Sequence, residues 1–222
     1  MAELRRGVLF DVDGTLVDTT FLHAVHWAEA LRQHGHDVSC ADVHHAIGMS
    51  GAYLLERLLG DHDTTQDDAI EDAHDTLYKQ EWGRLRLLPG AADVLRACAQ
   101  RGLDVVLASS ASEDELTELR RTIGADDAVT EATSSSDASA GKPAPDIVQV
   151  ALERTGLSPE RTVFVGDAVW DGVACQSAGV RFVALTCGGT PEDELRDAGA
   201  VEVWRDPAQL LAHLDDSVLG TL

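Results

Sequence analysis

Apolar residues follow two rhythms along this chain. Val8 to Phe10, Leu103 to Ala108, Thr162 to Val165 and Arg181 to Leu185 are short, largely apolar runs, stopped by Asp, Ser, Gly and Thr respectively. Consecutive apolar positions of that length predict strands buried on both faces, the habit of parallel sheets. From Thr19 to about Leu85 the spacing is helical instead. Phe21, Val25, Ala28 and Leu31 recur one turn apart and end at Gly35. Further helices are predicted over Ala41 to Ile47, Ala52 to Leu59 and Asp67 to Trp82, the first two closed by Gly48 and Gly60. Four helices in succession make a small bundle with its own apolar interior.

Beyond Pro89-Gly90 helices and strands alternate. Helices are predicted over Ala91 to Arg101, Glu113 to Ile123, Pro145 to Arg154 (Pro145 in the first turn) and Val169 to Ala178. Ala128 to Thr130 reads as a short strand, and Ser134 to Ala140 as a polar loop leading into Gly141-Lys142-Pro143. The tail adds a helix at Pro191 to Ala198, a strand at Val201 to Trp204 and a helix at Pro207 to Leu214. This alternation predicts an α/β fold, a doubly wound parallel sheet. Its core is expected to comprise residues 1–17 and 87–222, with residues 18–86 inserted as an α-helical bundle cap.

Ligands of such sheets bind beyond the carboxyl ends of the strands, at the switch in strand order. The polar signals of this chain fall there. Asp11 and Asp13 follow the first strand, Ser109-Ser110 the second, Lys142 precedes a helix, and Asp167 and Asp171 follow Val165. Residues i and i+2 of an extended chain share a face, so Asp11 and Asp13 are expected side by side. Two such carboxylates repel unless a cation or proton lies between them. That arrangement suits a divalent metal, or a nucleophile with its acid/base partner. An EF-hand is excluded because Leu22 stands at the twelfth position, where the bidentate Glu is needed. A P-loop is excluded because Pro143 replaces the Ser/Thr after Lys142.

The formal net charge of −22, with only two lysines, argues against nucleic-acid and anionic-membrane partners. The four cysteines are widely spaced and form no CxxC pair, so they read as reduced thiols without a functional role. No run reaches membrane-spanning length and no signal-peptide h-region is present, so a cytoplasmic location is expected. Oligomeric state is not readable.

Taken in order, Asp11-Val12-Asp13-Gly14-Thr15-Leu16-Val17-Asp18, Val105-Val106-Leu107-Ala108-Ser109, Lys142 in Gly-Lys-Pro-Ala-Pro-Asp, and Gly166-Asp167-Ala168-Val169-Trp170-Asp171 resemble the four motifs of the haloacid dehalogenase superfamily. The match falls in the helical-cap branch of phosphatases and phosphomutases. The resemblance implies a Mg²⁺-dependent phosphoric monoester hydrolase acting on a small phosphorylated metabolite. It implies Asp11 as nucleophile and metal ligand, forming an aspartyl-phosphate, and Asp13 as general acid/base and ligand through its backbone carbonyl. Asp167 is implied as a further ligand and Asp171 as part of the metal's outer shell. Ser109, Ser110 and Lys142 would hold the phosphoryl oxygens.

Asp13 disfavours dehalogenation, because halide leaves without a proton. A phosphatase similar to phosphoglycolate phosphatases is expected, with a β-phosphoglucomutase-like mutase as the alternative. Ile47 and Gly51 stand where a mutase's cap would carry basic residues for a second phosphate. A non-catalytic binding module ranks last, because Asp11, Asp13, Lys142 and Asp167 are all present.

Eight of the nine histidines lie between His23 and His74. His23 and His26 are one turn apart but lack a third ligand for zinc. His23, just past the expected hinge at Asp18-Thr19, is instead a candidate substrate contact. Trp27 reads as core.

Overall fold

The computed structural model of the chain describes residues 5–138 and 140–222. Residues 1–4 of the expected core segment and Ser139 of the expected loop therefore lie outside the described residues.

Among the described residues the sheet is six-stranded and wholly parallel, in the order β3-β2-β1-β4-β5-β6. Its strands are β1 (Gly7–Phe10), β2 (Asp104–Ala108), β3 (Glu131–Thr133), β4 (Thr162–Gly166), β5 (Arg181–Leu185) and β6 (Ala200–Trp204). The consecutive apolar residues of each run divide between two faces. Val8, Phe10, Val105, Leu107, Val163, Val165, Val183 and Leu185 enter one hydrophobic cluster. Leu9, Val106, Ala108, Phe164, Phe182 and Ala184 enter the other. Period-two alternation thus requires a helical layer on each side.

Ten α-helices occur among the described residues. Four of them, α1 (Thr20–Gln33), α2 (Cys40–Ala46), α3 (Gly51–Leu59) and α4 (Asp67–Lys79), form the insert after β1. The remainder are α5 (Ala91–Gln100), α6 (Glu113–Ile123), α7 (Asp146–Thr155), α8 (Val169–Ala178), α9 (Glu192–Asp197) and α10 (Pro207–Ala212). Helices α5, α6 and α10 supply Val94, Leu95, Leu116, Leu119 and Leu210 to the first face. Ile147, Val148, Ala151, Ala174 and Leu195 from α7, α8 and α9 cover the second. Helices α1 to α4 have a cluster of their own, built on Trp27, Leu31, Val43, Leu54, Leu55 and Ile70.

Two backbone segments join that insert to the sheet, and they run side by side. Val17 bridges Leu87 in antiparallel fashion, Asp18 N donates to Arg86 O at 2.9 Å and Leu88 N to Leu16 O at 2.9 Å. At the far end the insert rests on the core loops. Ser50 N donates to Lys142 O at 3.0 Å, and the Trp170 indole to His45 O at 3.1 Å.

Three local expectations are corrected. The third strand is Glu131–Thr133 rather than Ala128 to Thr130, whose backbone instead turns through an Ala128 N–H bond to Ala125 O. As an edge strand with Glu131 and Ala132 half-exposed, it lacks the apolar run that marks the others. Helix α4 stops at Lys79, and Trp82–Arg84 forms a separate 3₁₀ turn. Pro145 occupies the N-cap of α7 rather than its first turn. As expected, Asp11 and Asp13 follow β1, in the turn where Leu16 N and Val17 N both return to Val12 O. Among the described residues no helix is long and apolar enough to cross a membrane.

Candidate active site

The strand order reverses between β1 and β4, so the loops after these two neighbours part and leave a crevice. Asp11 follows β1 and Asp167 follows β4 at that point. One carboxylate oxygen from each of Asp11, Asp167 and Asp171 falls in a single group within 4.8 Å. All three residues are buried.

Lys142, on the loop before α7, is driven into this group with 1% of its surface exposed. Its Nζ lies 2.5 Å from Asp11 Oδ1 and 2.7 Å from Asp171 Oδ1. Both carboxylates lift the ammonium above its ordinary range against the effect of burial, so the proton stays on Lys142. Asp171 Oδ2 also accepts from Ala168 N at 3.0 Å at the start of α8.

Burial pushes the Asp11 carboxyl up to about 7, with Asp171 and Asp13 adding to the effect and Lys142 opposing it. Asp167 is raised as well, by burial and then by the charges of Asp11 and Asp171, although Thr15 Oγ1 donates to it at 2.7 Å. Three buried carboxyls therefore share one ammonium. Room for Asp167 depends on Gly188, where a Cβ would stand 1.6 Å from its Oδ2. A set of hard carboxylate oxygens crowded beyond what Lys142 neutralises fits a divalent cation such as Mg²⁺.

Asp13 has different partners. Thr19 Oγ1 donates to its Oδ1 at 2.7 Å, His23 Nε2 lies 3.4 Å from the same oxygen, and Ser109 Oγ donates to Oδ2 at 3.5 Å. Burial acts to raise this carboxyl, but His23, Thr19 and Lys142 together hold it below its ordinary range. Neighbouring acids thus differ: Asp11 is pushed up and Asp13 down.

The protonation of His23 follows from its bonds. His74 Nδ1 lies 3.0 Å from Asp75 Oδ1 and carries the hydrogen there, so His74 Nε2 accepts from His23 Nδ1 at 3.1 Å. His23 Nε2 faces Asp13 Oδ1 and Glu115 Oε1, each at 3.4 Å, and also carries a hydrogen. Two N–H groups make His23 an imidazolium. Burial alone would lower it, yet the carboxylates of Asp13 and Glu115 raise it to about 10. His74, stacked on Trp27 with ring centroids 4.3 Å apart, is pushed by burial down to about 4 and is neutral.

A cavity of about 640 Å³ opens over these groups, between the core loops and the insert. Asp11, Asp13, Lys142, Ser110 and His23 all line it. Among the described residues Ser110 Oγ is buried without a hydrogen-bond partner, whereas Ser109 Oγ accepts from Ala111 N at 3.0 Å. His26 lies apart, 3.7 Å from Glu81. Trp27 belongs to the insert's core and to the cavity wall at once.

Sequence reasoning passed over Thr15, Thr19, Glu71, His74, Asp75 and Glu115. The last four sit on amphipathic helices, where acids and histidines resemble a solvated face. The available signal was spacing, because Glu71, His74, Asp75 and Tyr78 recur at i, i+3, i+4 and i+7 along α4.

The haloacid dehalogenase-like hydrolase family profile matches residues 6–179. A phosphoglycolate phosphatase of Yersinia pestis is 30% identical over 218 residues, spanning 95% of this chain and 90% of that protein. A phosphoglycolate phosphatase of Pseudomonas putida is 28% identical, spanning 86% of this chain and 74% of that protein. The crystal structure of a hydrolase from Pseudomonas syringae superposes with a TM-score of 0.90 at 30% identity, covering 96% of this chain and 99% of that one.

Proposed function

The chain belongs to the haloacid dehalogenase-like hydrolases, and from that premise we propose that it is a Mg²⁺-dependent phosphatase of a small phosphorylated metabolite. The observation that carries this reading is the unlike pair of acids at one cavity: Asp11 clamped by Lys142, and Asp13 held by Thr19 and His23. Residues 1–17 and 87–222 would act as the catalytic core and residues 18–86 as its cap. The separate hydrophobic cluster of α1 to α4 and the paired crossing at Val17 and Leu87 support that division.

Asp11, Asp167 and the backbone carbonyl of Asp13 would hold Mg²⁺, with Asp171 in its outer shell. When bound, the cation offsets the repulsion between a phosphate dianion and the carboxylates facing it. Asp11 would attack phosphorus and carry the phosphoryl group as an aspartyl-phosphate. Lys142 would keep Asp11 ionised and oppose charge developing on the phosphoryl oxygens. Ser110, whose hydroxyl has no partner among the described residues, would donate to those oxygens, and Ser109 would brace the loop and Asp13. Asp13 would give a proton to the departing alcohol and take one from the attacking water.

The relatives named phosphoglycolate phosphatases support hydrolysis over internal transfer. Ile47 and Gly51 in the cavity wall offer no cation for the second phosphate of a mutase. Release of inorganic phosphate from simple alkyl phosphates with and without Mg²⁺ tests the reading. A metal-dependent rate supports it. Isomerisation of β-glucose 1-phosphate without net phosphate release would replace it with the mutase.

A further inference from the structure

Among the described residues two groups of three side chains place metal-ligating atoms within 4.8 Å of one another. Asp11, Asp167 and Asp171 make the all-oxygen group described above. The other is Asp13, His23 and Glu115. Asp13 comes from the turn after β1, His23 from α1 of the insert and Glu115 from the first turn of α6. Folding alone brings them together across the boundary between insert and core.

His23 Nε2 stands 3.4 Å from both Asp13 Oδ1 and Glu115 Oε1. A charge-assisted hydrogen bond closes to about 2.7–2.9 Å. Ligand atoms on a tetrahedral zinc, with bonds of about 2.0–2.2 Å, stand about 3.3–3.6 Å apart. Both sides of the imidazole therefore have the length of a coordination edge.

The neighbours hold these ligands as a metal site requires. Thr19 Oγ1 donates to Asp13 Oδ1 at 2.7 Å. His23 Nδ1 donates to His74 Nε2, and His74 Nδ1 to Asp75, a relay that aims His23 Nε2 at the two carboxylates. Tyr78 stacks on the His23 ring with centroids 4.0 Å apart. Asp13, His23 and Glu115 all line the cavity, which leaves a fourth position open to water or to a substrate oxygen. An imidazole between carboxylates suits Zn²⁺, whereas the all-oxygen group suits Mg²⁺.

We propose that Asp13, His23 and Glu115 form a second metal site, which takes Zn²⁺ and inhibits the enzyme. Binding exchanges the Nε2 hydrogen of His23 for the metal and releases one proton. The carboxylates that hold the proton there then face a cation of twice its charge. Zinc on Asp13 Oδ1 withdraws the acid/base group and ties α1 to α6. The site itself stands on geometry, and only its inhibitory effect rests on the phosphatase reading.

The Mg²⁺-saturated protein titrated with Zn²⁺ against a competing chelator tests the site, with Co²⁺ as a visible probe of geometry. Co²⁺ is expected to give the intense visible bands of tetrahedral coordination. Glu115→Gln and His23→Gln are each expected to weaken zinc about a hundredfold, and Asp167→Asn to leave it bound. A weak octahedral cobalt spectrum in the unmodified protein would overturn the proposal without need of any variant. So would zinc retained by Glu115→Gln but lost from Asp167→Asn, which would put the metal beside Asp11 instead. Phosphate release from p-nitrophenyl phosphate is expected to fall over the zinc range that fills the site, and full activity with the site filled would strike the inhibitory role. Absence of Mg²⁺-dependent turnover before zinc is added would instead contradict the phosphatase reading, while the binding results still decide the site.

Discussion

His23 Nδ1 donates to His74 Nε2 at 3.1 Å, a bond between α1 and α4 whose two ends titrate in opposite directions. His23 is raised from 6.5 to about 10, so the stability it adds is complete below pH 6.5 and disappears as pH rises through 10. His74 is lowered from 6.5 to about 4, so the unfolded chain binds the extra proton and stability falls as pH drops from 6.5 toward 4. Thermal unfolding across pH 4 to 10 is expected to show both limbs. His23→Gln should flatten the alkaline limb and leave the acid one. An unchanged alkaline limb would remove the imidazolium from the account.

Lys142→Ala leaves the carboxyls of Asp11 and Asp171 buried without their cation. Breaking a buried pair by removing one partner costs about 3–5 kcal/mol. A urea midpoint lowered to match, together with loss of phosphate release, is expected. A variant as stable as the parent would contradict the buried clamp.

The acid role of Asp13 predicts a dependence on the leaving group. Asp13→Asn is expected to slow hydrolysis of alkyl phosphates by about 10²–10⁴-fold. p-Nitrophenyl phosphate, whose phenolate leaves without a proton, should lose much less in the first step. Equal losses for both esters, measured as single-turnover product release, would count against that role.

Chelation with EDTA is expected to abolish turnover, and added Mg²⁺ to restore it. A proton on Asp11, whose carboxyl is raised to about 7, competes with the metal, so Mg²⁺ binding followed by calorimetry should weaken as pH falls through 7. Binding that is flat with pH would separate Asp11 from the metal site.

The sheet and the polar groups at its ends were legible because parallel strands must be apolar on both faces. Val8-Leu9-Phe10 and Val163-Phe164-Val165 announce themselves, and Asp11 and Asp167 follow directly. Glu131-Ala132-Thr133 does not, because an edge strand buries less and its apolar pattern is diluted. Lys142 was recognisable only with its motif, since nothing local distinguishes a lysine that will be wholly buried from a solvated one. Glu115 looks like an acid favoured by the N-terminus of α6, and only the packing of His23 from α1 turns it into a wall of the cavity.

The most direct test of the central claim is the fate of Asp11 during turnover. Enzyme quenched within a single turnover and treated with borohydride should carry an acyl-phosphate reduced to homoserine at position 11, located by peptide mass mapping, with no such product from Asp11→Asn. Phosphate released at the full rate with position 11 unmodified, or the label at another carboxylate, would contradict the account.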